Sequence, residues 1–189
     1  MNGTSVLVDA NFLIAWLGNR KNLDLKQRAQ RFVNRLVAMR SSIVIPAPAV
    51  AEYLVQAKVP DLIAINAIIE KPWVIVGAFD YMSAVELHLL DCAARSLGDK
   101  RDGVDAPWQK IKVDRQIIAI GRAHQCDLVV SNDRSVMAGA TRAGISTCSL
   151  EELDSLPMPA ERRRPARAPH TGSRGCRSVR EPYESAELT

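Results

Sequence analysis

Ser5-Val6-Leu7-Val8-Asp9-Ala10-Asn11 opens the readable part of the chain. A short apolar, β-branched run ends on an acid, which predicts a buried strand over 5–8 followed by a helix from about Asp9 to Leu17. The same unit recurs along the sequence. Ile43–Ile45 reads as a strand, and Pro46-Ala47-Pro48 then opens a helix that carries Glu52 to about Ala57, proline being favoured in a first helical turn. Trp73–Val76 is a third strand, followed by a helix over Tyr81–Leu97 with Val85, Leu89, Leu90 and Ala93 inward. Leu128–Val130 is a fourth, followed by a helix over Asp133–Ala143, and Ile145–Cys148 is the last. Helices over Leu25–Met39, Asp61–Glu70 and Val113–His124 fill the intervals, the last preceded by a polar loop from Gly98 to Lys112. In the first of these, Ala29, Phe32, Val33, Leu36 and Val37 form one apolar stripe. Strands that alternate with helices and are themselves continuous apolar runs predict an α/β three-layer sandwich, a mostly parallel central sheet of about four to five strands flanked by helices.

The length of 189 residues suits one such domain with a tail. Hydrophobic residues make up 47% and charged residues 24%, ordinary values that exclude a fibrous repeat or wholesale disorder. No apolar run approaches the roughly 20 residues that cross a bilayer, and no signal-like N-terminus precedes the first strand, so the expected compartment is the cytoplasm. After Leu156 the composition turns to Pro, Arg, Gly and Ser. Residues 157–189 carry seven arginines against four glutamates, so most of the net charge of +4 sits there. The expected organisation is a domain over 1–156 and a basic, disordered tail over 157–189. Cys92, Cys126, Cys148 and Cys176 form no CxxC pair, and His88, His124 and His170 are scattered. They read as buried or free side chains, so any metal would be held by oxygen.

Four acids stand at corresponding points of the strand and helix units. Asp9 and Asp133 follow the first and fourth strands directly. Asp114 falls in the first turn expected for its helix, beside the stripe of Ile117 and Ile118. Glu52 interrupts apolar neighbours, where a buried carboxylate is costly unless compensated. Singly, each aspartate has an ordinary role as a helix cap. Together they would meet outside the carboxyl ends of the strands, where ligands bind in open α/β sheets. Two carboxylates about 4 Å apart repel by roughly 4 kcal/mol at an effective dielectric near 20, so four such groups call for cations or protons. All-oxygen ligands suit Mg²⁺ or Mn²⁺, and such ions activate water and stabilise a leaving oxygen in phosphodiester hydrolysis.

The segments Val6-Leu7-Val8-Asp9-Ala10-Asn11, Pro48-Ala49-Val50-Ala51-Glu52-Tyr53, Asp114-Arg115-Gln116-Ile117-Ile118-Ala119 and Leu128-Val129-Val130-Ser131-Asn132-Asp133, in that order and with helical spacers, resemble the PIN-domain family, including the VapC-type toxins of bacterial toxin–antitoxin pairs. The resemblance covers most of 5–153. It implies a PIN-like sandwich, Mg²⁺ or Mn²⁺ at Asp9, Glu52, Asp114 and Asp133, and endoribonuclease activity on single-stranded or structured RNA. Asn11 and Ser131 match positions that support the metal ligands by hydrogen bonding. Ser135 stands where many relatives have a further acid, which weakens or removes a second metal. An antitoxin partner and a homodimer are also implied. Arg115 and Arg134 are expected to draw the RNA backbone toward the acids, with ordinary surface charge as their alternative role. Two other readings compete. One is a catalytically weak PIN-fold scaffold that binds RNA or protein, with the basic tail adding salt-sensitive contacts. The other makes Asp9 a phosphoacceptor, but phosphatases of that type place a second Asp where this chain has Asn11.

Overall fold

A computed structural model describes residues 4–18, 22–55, 57–96, 98, 101 and 106–156. The tail expected over 157–189 lies outside the described residues, as does part of the loop before the sixth helix. Five strands, β1 (Ser5–Val8), β2 (Ser42–Pro46), β3 (Val74–Gly77), β4 (Leu128–Val130) and β5 (Ser146–Cys148), form one sheet in the order β3-β2-β1-β4-β5. Every pairing is parallel. The helices are α1 (Ala10–Trp16), α2 (Leu23–Ala38), α3 (Ala47–Val55), α4 (Val59–Ile69), α5 (Tyr81–Ser96), α6 (Trp108–Ala123) and α7 (Arg134–Arg142), and a 3₁₀ turn spans Leu153–Ser155.

The three layers follow from side-chain alternation along the strands. Val6 and Val8 of β1, Ile43 and Ile45 of β2, and Leu128 and Val130 of β4 pack on one face with Phe12 and Leu13 of α1 and Phe32 and Leu36 of α2. Leu7, Val44 and Val129 point to the other face, against Ile117 and Ile120 of α6 and Val136 and Ala140 of α7. All three apolar residues of β1 are fully buried, each contributing about 1.5–3 kcal/mol relative to exposure. Gly121 lets α6 lie close on β1, since a Cβ there would stand 2.8 Å from the Leu7 side chain. That approach fixes where the earlier turns of α6 stand over the sheet.

Two sequence expectations change. Helix α6 begins at Trp108, not Val113, because Ile111 is buried and continues the apolar face of Ile118 back by two turns. In α5 the inward residues are Ser83 and Ala94, whereas Leu89 and Ala93 are exposed and Val85 and Leu90 only partly covered. Ser83 sits inward with its hydroxyl donating back across the preceding turn, 3.2 Å from the Ala78 carbonyl and 2.9 Å from Asp80 Oδ1, while Asp80 accepts from Ser83 N at 2.9 Å. Helix α4 is apolar almost all round, with Val59, Leu62 and Ile63 exposed. Among the described residues no helix is long and apolar enough to cross a membrane.

Candidate metal centre

In this strand order the chain leaves β1 toward β2 on one side, and β4 lies on the other. The switch point therefore falls between β1 and β4, the place where the general rule for open α/β sheets puts a ligand crevice beyond the strand ends. Asp9 follows β1 and Ser131-Asn132-Asp133 follows β4. Asn132 braces that second corner, accepting from Leu150 N at 2.8 Å and donating to Glu151 at 3.1 Å.

Asp9 caps α1 and is 3% exposed. Its Oδ1 accepts from Phe12 N at 3.0 Å, and its Oδ2 accepts from the Ser131 hydroxyl and from Asn11 Nδ2 at 3.3 Å. Burial pushes its carboxyl above the ordinary carboxylate range. The bonds from Ser131, Phe12 and Asn11 work against that rise, and Glu52 adds to it by charge repulsion. Ser131 Oγ also accepts from Asp133 N at 2.8 Å, so one hydroxyl ties the two strand-end corners together.

Asp133 caps α7 through Ser135 N at 2.8 Å. Asp114 has no comparable role. It stands two turns inside α6, is 8% exposed, and caps nothing, which corrects its expected place in a first turn. Lys110, one turn earlier on α6, extends its ammonium between the two carboxylates. Nζ lies 2.9 Å from Asp114 Oδ2, 2.7 Å from Asp133 Oδ2 and 3.0 Å from Ser135 Oγ. The Ser135 hydroxyl is also within hydrogen-bonding reach of Asp114 Oδ2 and of Asp133 Oδ1. Burial alone would raise the Asp133 carboxyl, but Lys110 and Ser135 outweigh it and hold it below the ordinary value. Burial likewise opposes the charge on Lys110, and the two aspartates outweigh it, raising the ammonium.

Glu52 is exposed on α3, so its carboxylate carries no burial cost and the sequence argument from burial fails. The reason is that α3 lies at the edge of the core and turns only Ala49 and Tyr53 fully inward. The quartet does not converge as one cluster. Among the described residues, no three His, Cys, Asp or Glu side chains come together closely enough to hold an ion. The acids instead divide into Asp114 with Asp133 around Lys110, and Asp9 with Glu52 within reach of its charge. The donor chemistry still fits a hard cation. Three oxygens converge on a single positive centre at Lys110 Nζ, and the oxygen-only set suits Mg²⁺ or Mn²⁺.

The two expected RNA contacts separate. Arg134 is exposed at the start of α7. Arg115 is 7% exposed, pairs with Asp91 of α5 at 2.6 Å and lies over the Trp108 ring, so it belongs to the α5–α6 packing and not to an open surface. The sequence reading placed Lys110 in a loop, as a solvated residue or an RNA or partner contact, and did not pair it with the acids, and it noted Ser135 only as a missing acid. Both carried a signal. Lys110 precedes Asp114 by four residues, the spacing of helix neighbours, and Ser135 follows a capping aspartate by two. A cavity of about 210 Å³ lies beside the pair, between Leu90, Ala94, Ile111 and Ile118, with Asp114 and Ser135 also in its lining.

No family model matches the sequence, and no curated protein matches it either. Solved structures do match. A chain of the VapBC2 complex from Rickettsia felis, bound to a DNA fragment from its promoter, is 12% identical, with a TM-score of 0.52 over 77% of this chain and 98% of that one. A chain of DNA-bound VapBC from Salmonella typhimurium is 15% identical, with a TM-score of 0.53 over 78% of this chain and 98% of that one. VapC, the toxin of such complexes, is a PIN domain. The chain has a PIN-like fold. In the PIN-like frame, Asp9 and Asp133 stand at the ends of adjacent parallel strands and Asp114 faces Asp133 from the helix layer.

Proposed function

We propose that this chain is a metal-dependent endoribonuclease, a VapC-like toxin that acts in the cytoplasm and is checked by an antitoxin protein. The observation that carries the reading is Asp114, a nearly buried carboxylate two turns inside a helix, aimed at Asp133 and needing a cation between them. Two carboxylates so placed are held apart by several kcal/mol unless positive charge intervenes. A helix cap explains Asp9 and Asp133 by themselves, and it does not explain Asp114.

Asp114 and Asp133 are the residues to hold Mg²⁺ or Mn²⁺, with Asp9 and Glu52 completing the set. When bound, the ion supplies Lewis-acid activation of a phosphodiester and of the attacking water. Ser131 holds Asp9 and the Asp133 backbone in fixed relation, which keeps the acids in register between the two strand ends. Asn11 steadies the same carboxylate. Glu52, exposed on α3 and within reach of the Asp9 charge, is the acid left to take a proton from the nucleophile. Exposed Arg134 offers a contact for the RNA backbone, and the cavity beside Ser135 offers space for part of a nucleotide. The exposed apolar side chains of α4 fit a protein partner, an antitoxin or a second copy of the chain.

A PIN-fold scaffold that binds RNA without cutting it is the second reading. It is favoured by the division of the acids into two groups and by Lys110 neutralising one of them. One experiment separates the two. Purified protein is incubated with mixed cellular RNA in Mn²⁺, in Mg²⁺ and in EDTA, beside Asp9→Asn and Asp114→Asn. Cutting that needs the ion and is lost in both variants supports the nuclease. Equal RNA binding in EDTA with no cutting by any protein replaces it with the scaffold.

A further inference from the structure

We propose that Lys110 is an internal counter-ion that a divalent cation must displace before it can occupy the acid centre. The inference rests on the metal-binding reading above and goes beyond it, since it concerns what fills the position otherwise. An ammonium has three hydrogens, and here three oxygens surround it at 2.7–3.0 Å: Asp133 Oδ2, Asp114 Oδ2 and Ser135 Oγ. The two carboxylate oxygens it engages face each other across α6 and α7. A divalent ion bound by the same oxygens, at about 2.1 Å for Mg²⁺, leaves no room for the ammonium and would repel it.

The position of the lysine suits exchange. Lys110 lies one turn before Asp114 on α6, so its stem runs along the helix surface to reach both acids. Its side chain is 43% exposed against 12% for Asp114 and 27% for Asp133. It can therefore swing into water without unpacking the core, while the carboxylates stay in place. The neighbouring cation Lys112 is engaged differently, its Nζ 5.5 Å from the Trp108 ring centre. Charge alone would make the two lysines equivalent, but only one of them occupies the acid pair.

The test is Mn²⁺ binding to the full chain, followed by electron paramagnetic resonance of the free ion and independently by calorimetry. Lys110→Met and Lys110→Gln are compared with wild type and with Lys112→Met, and far-ultraviolet dichroism checks that each is folded. Removing the ammonium should tighten Mn²⁺ about five- to tenfold, the scale of two part-exposed ion pairs that no longer have to be broken. Lys110→Gln, which is shorter and neutral but still a hydrogen-bond donor, should tighten it similarly, and Lys112→Met should change it less than about twofold. Equal or weaker binding by both Lys110 variants overturns the displacement while leaving the metal reading intact. Tightening by Lys112→Met to the same extent also overturns it, because the effect would then be net charge. If neither wild type nor the Lys110 variants bind Mn²⁺, both this inference and the metal reading fall.

Discussion

The two corners of the acid crevice solve the same electrostatic problem in opposite ways. At the end of β1, Asp9 is buried among neutral donors, the Phe12 amide, Asn11 and Ser131, and its carboxyl is raised. Across the crevice, Asp133 shares Lys110 with Asp114 and is lowered. Neutral dipoles orient a carboxylate without cancelling its desolvation, whereas an ammonium supplies the charge that burial removes. The first corner is therefore ready to accept a proton or a cation. The second already holds a cation and would have to exchange it.

The sharpest way to break this contrast is to neutralise one acid in each corner. Asp9→Asn and Asp114→Asn should both reduce RNA cleavage by on the order of 100-fold or more, which a single-turnover assay in Mn²⁺ would measure. Their metal-free stabilities should then part. Asp114→Asn leaves Lys110 with one fewer anion and should lower the melting temperature. Asp9→Asn removes a desolvated charge and should raise it near neutral pH. If both shifts have the same sign, the two corners are not electrostatically distinct.

Replacing Ser131 by Ala comes next in size. It strips the hydroxyl that donates to Asp9 and accepts from Asp133 N, and should cost about 1–3 kcal/mol in urea unfolding, because a buried acceptor and a backbone amide both lose a partner. A loss below about 0.5 kcal/mol would mean that water replaces the hydroxyl and that the corners are not tied through it.

The pH dependence is a smaller effect with a definite sign. Asp9 is raised above 3.8, so its contribution to stability is fully present below 3.8 and is lost as pH climbs through the raised value. Asp133 is lowered from 3.8, so its contribution is present above 3.8 and is lost as pH falls through the lowered value. On acidification, Asp9 should regain stability before Asp133 loses any. Thermal melts of wild type and Asp9→Asn from about pH 3 to 7 would show the advantage of the variant shrinking toward the acid end. An advantage independent of pH would contradict the raised carboxyl.

The smallest effect on the crevice should come from α4. Ile63 is 64% exposed, and Ile63→Glu should leave cleavage within about twofold while weakening any self-association seen by size-exclusion chromatography. Lost cleavage would tie that surface to the crevice.

Much of this was legible in the chain before folding. Leu128–Val130 is the strand its apolar run predicted, and the strand ends at Asp9 and Asp133 follow from where apolar runs stop. The start of α6 was not read, because the polar residues before Val113 masked a helix whose inward face shows only Ile111 in that stretch. Glu52 looked buried in its local sequence, yet the short α3 leaves it at the surface. Arg115 looked like surface charge, yet Asp91 and Trp108 take it into the α5–α6 contact.

Periodicity alone determined the three layers and the alternation of strands and helices, since burying one face or both leaves a pattern in every strand. Only the tertiary structure decided which acids meet which partners. Ser131 reaches Asp9 across 122 residues and Lys110 reaches Asp133 across 23, because β4 lies beside β1 and α6 lies beside α7. Those adjacencies come from strand order and helix packing, which hydrophobic spacing within a segment does not encode. The charge balance of the crevice depends on them.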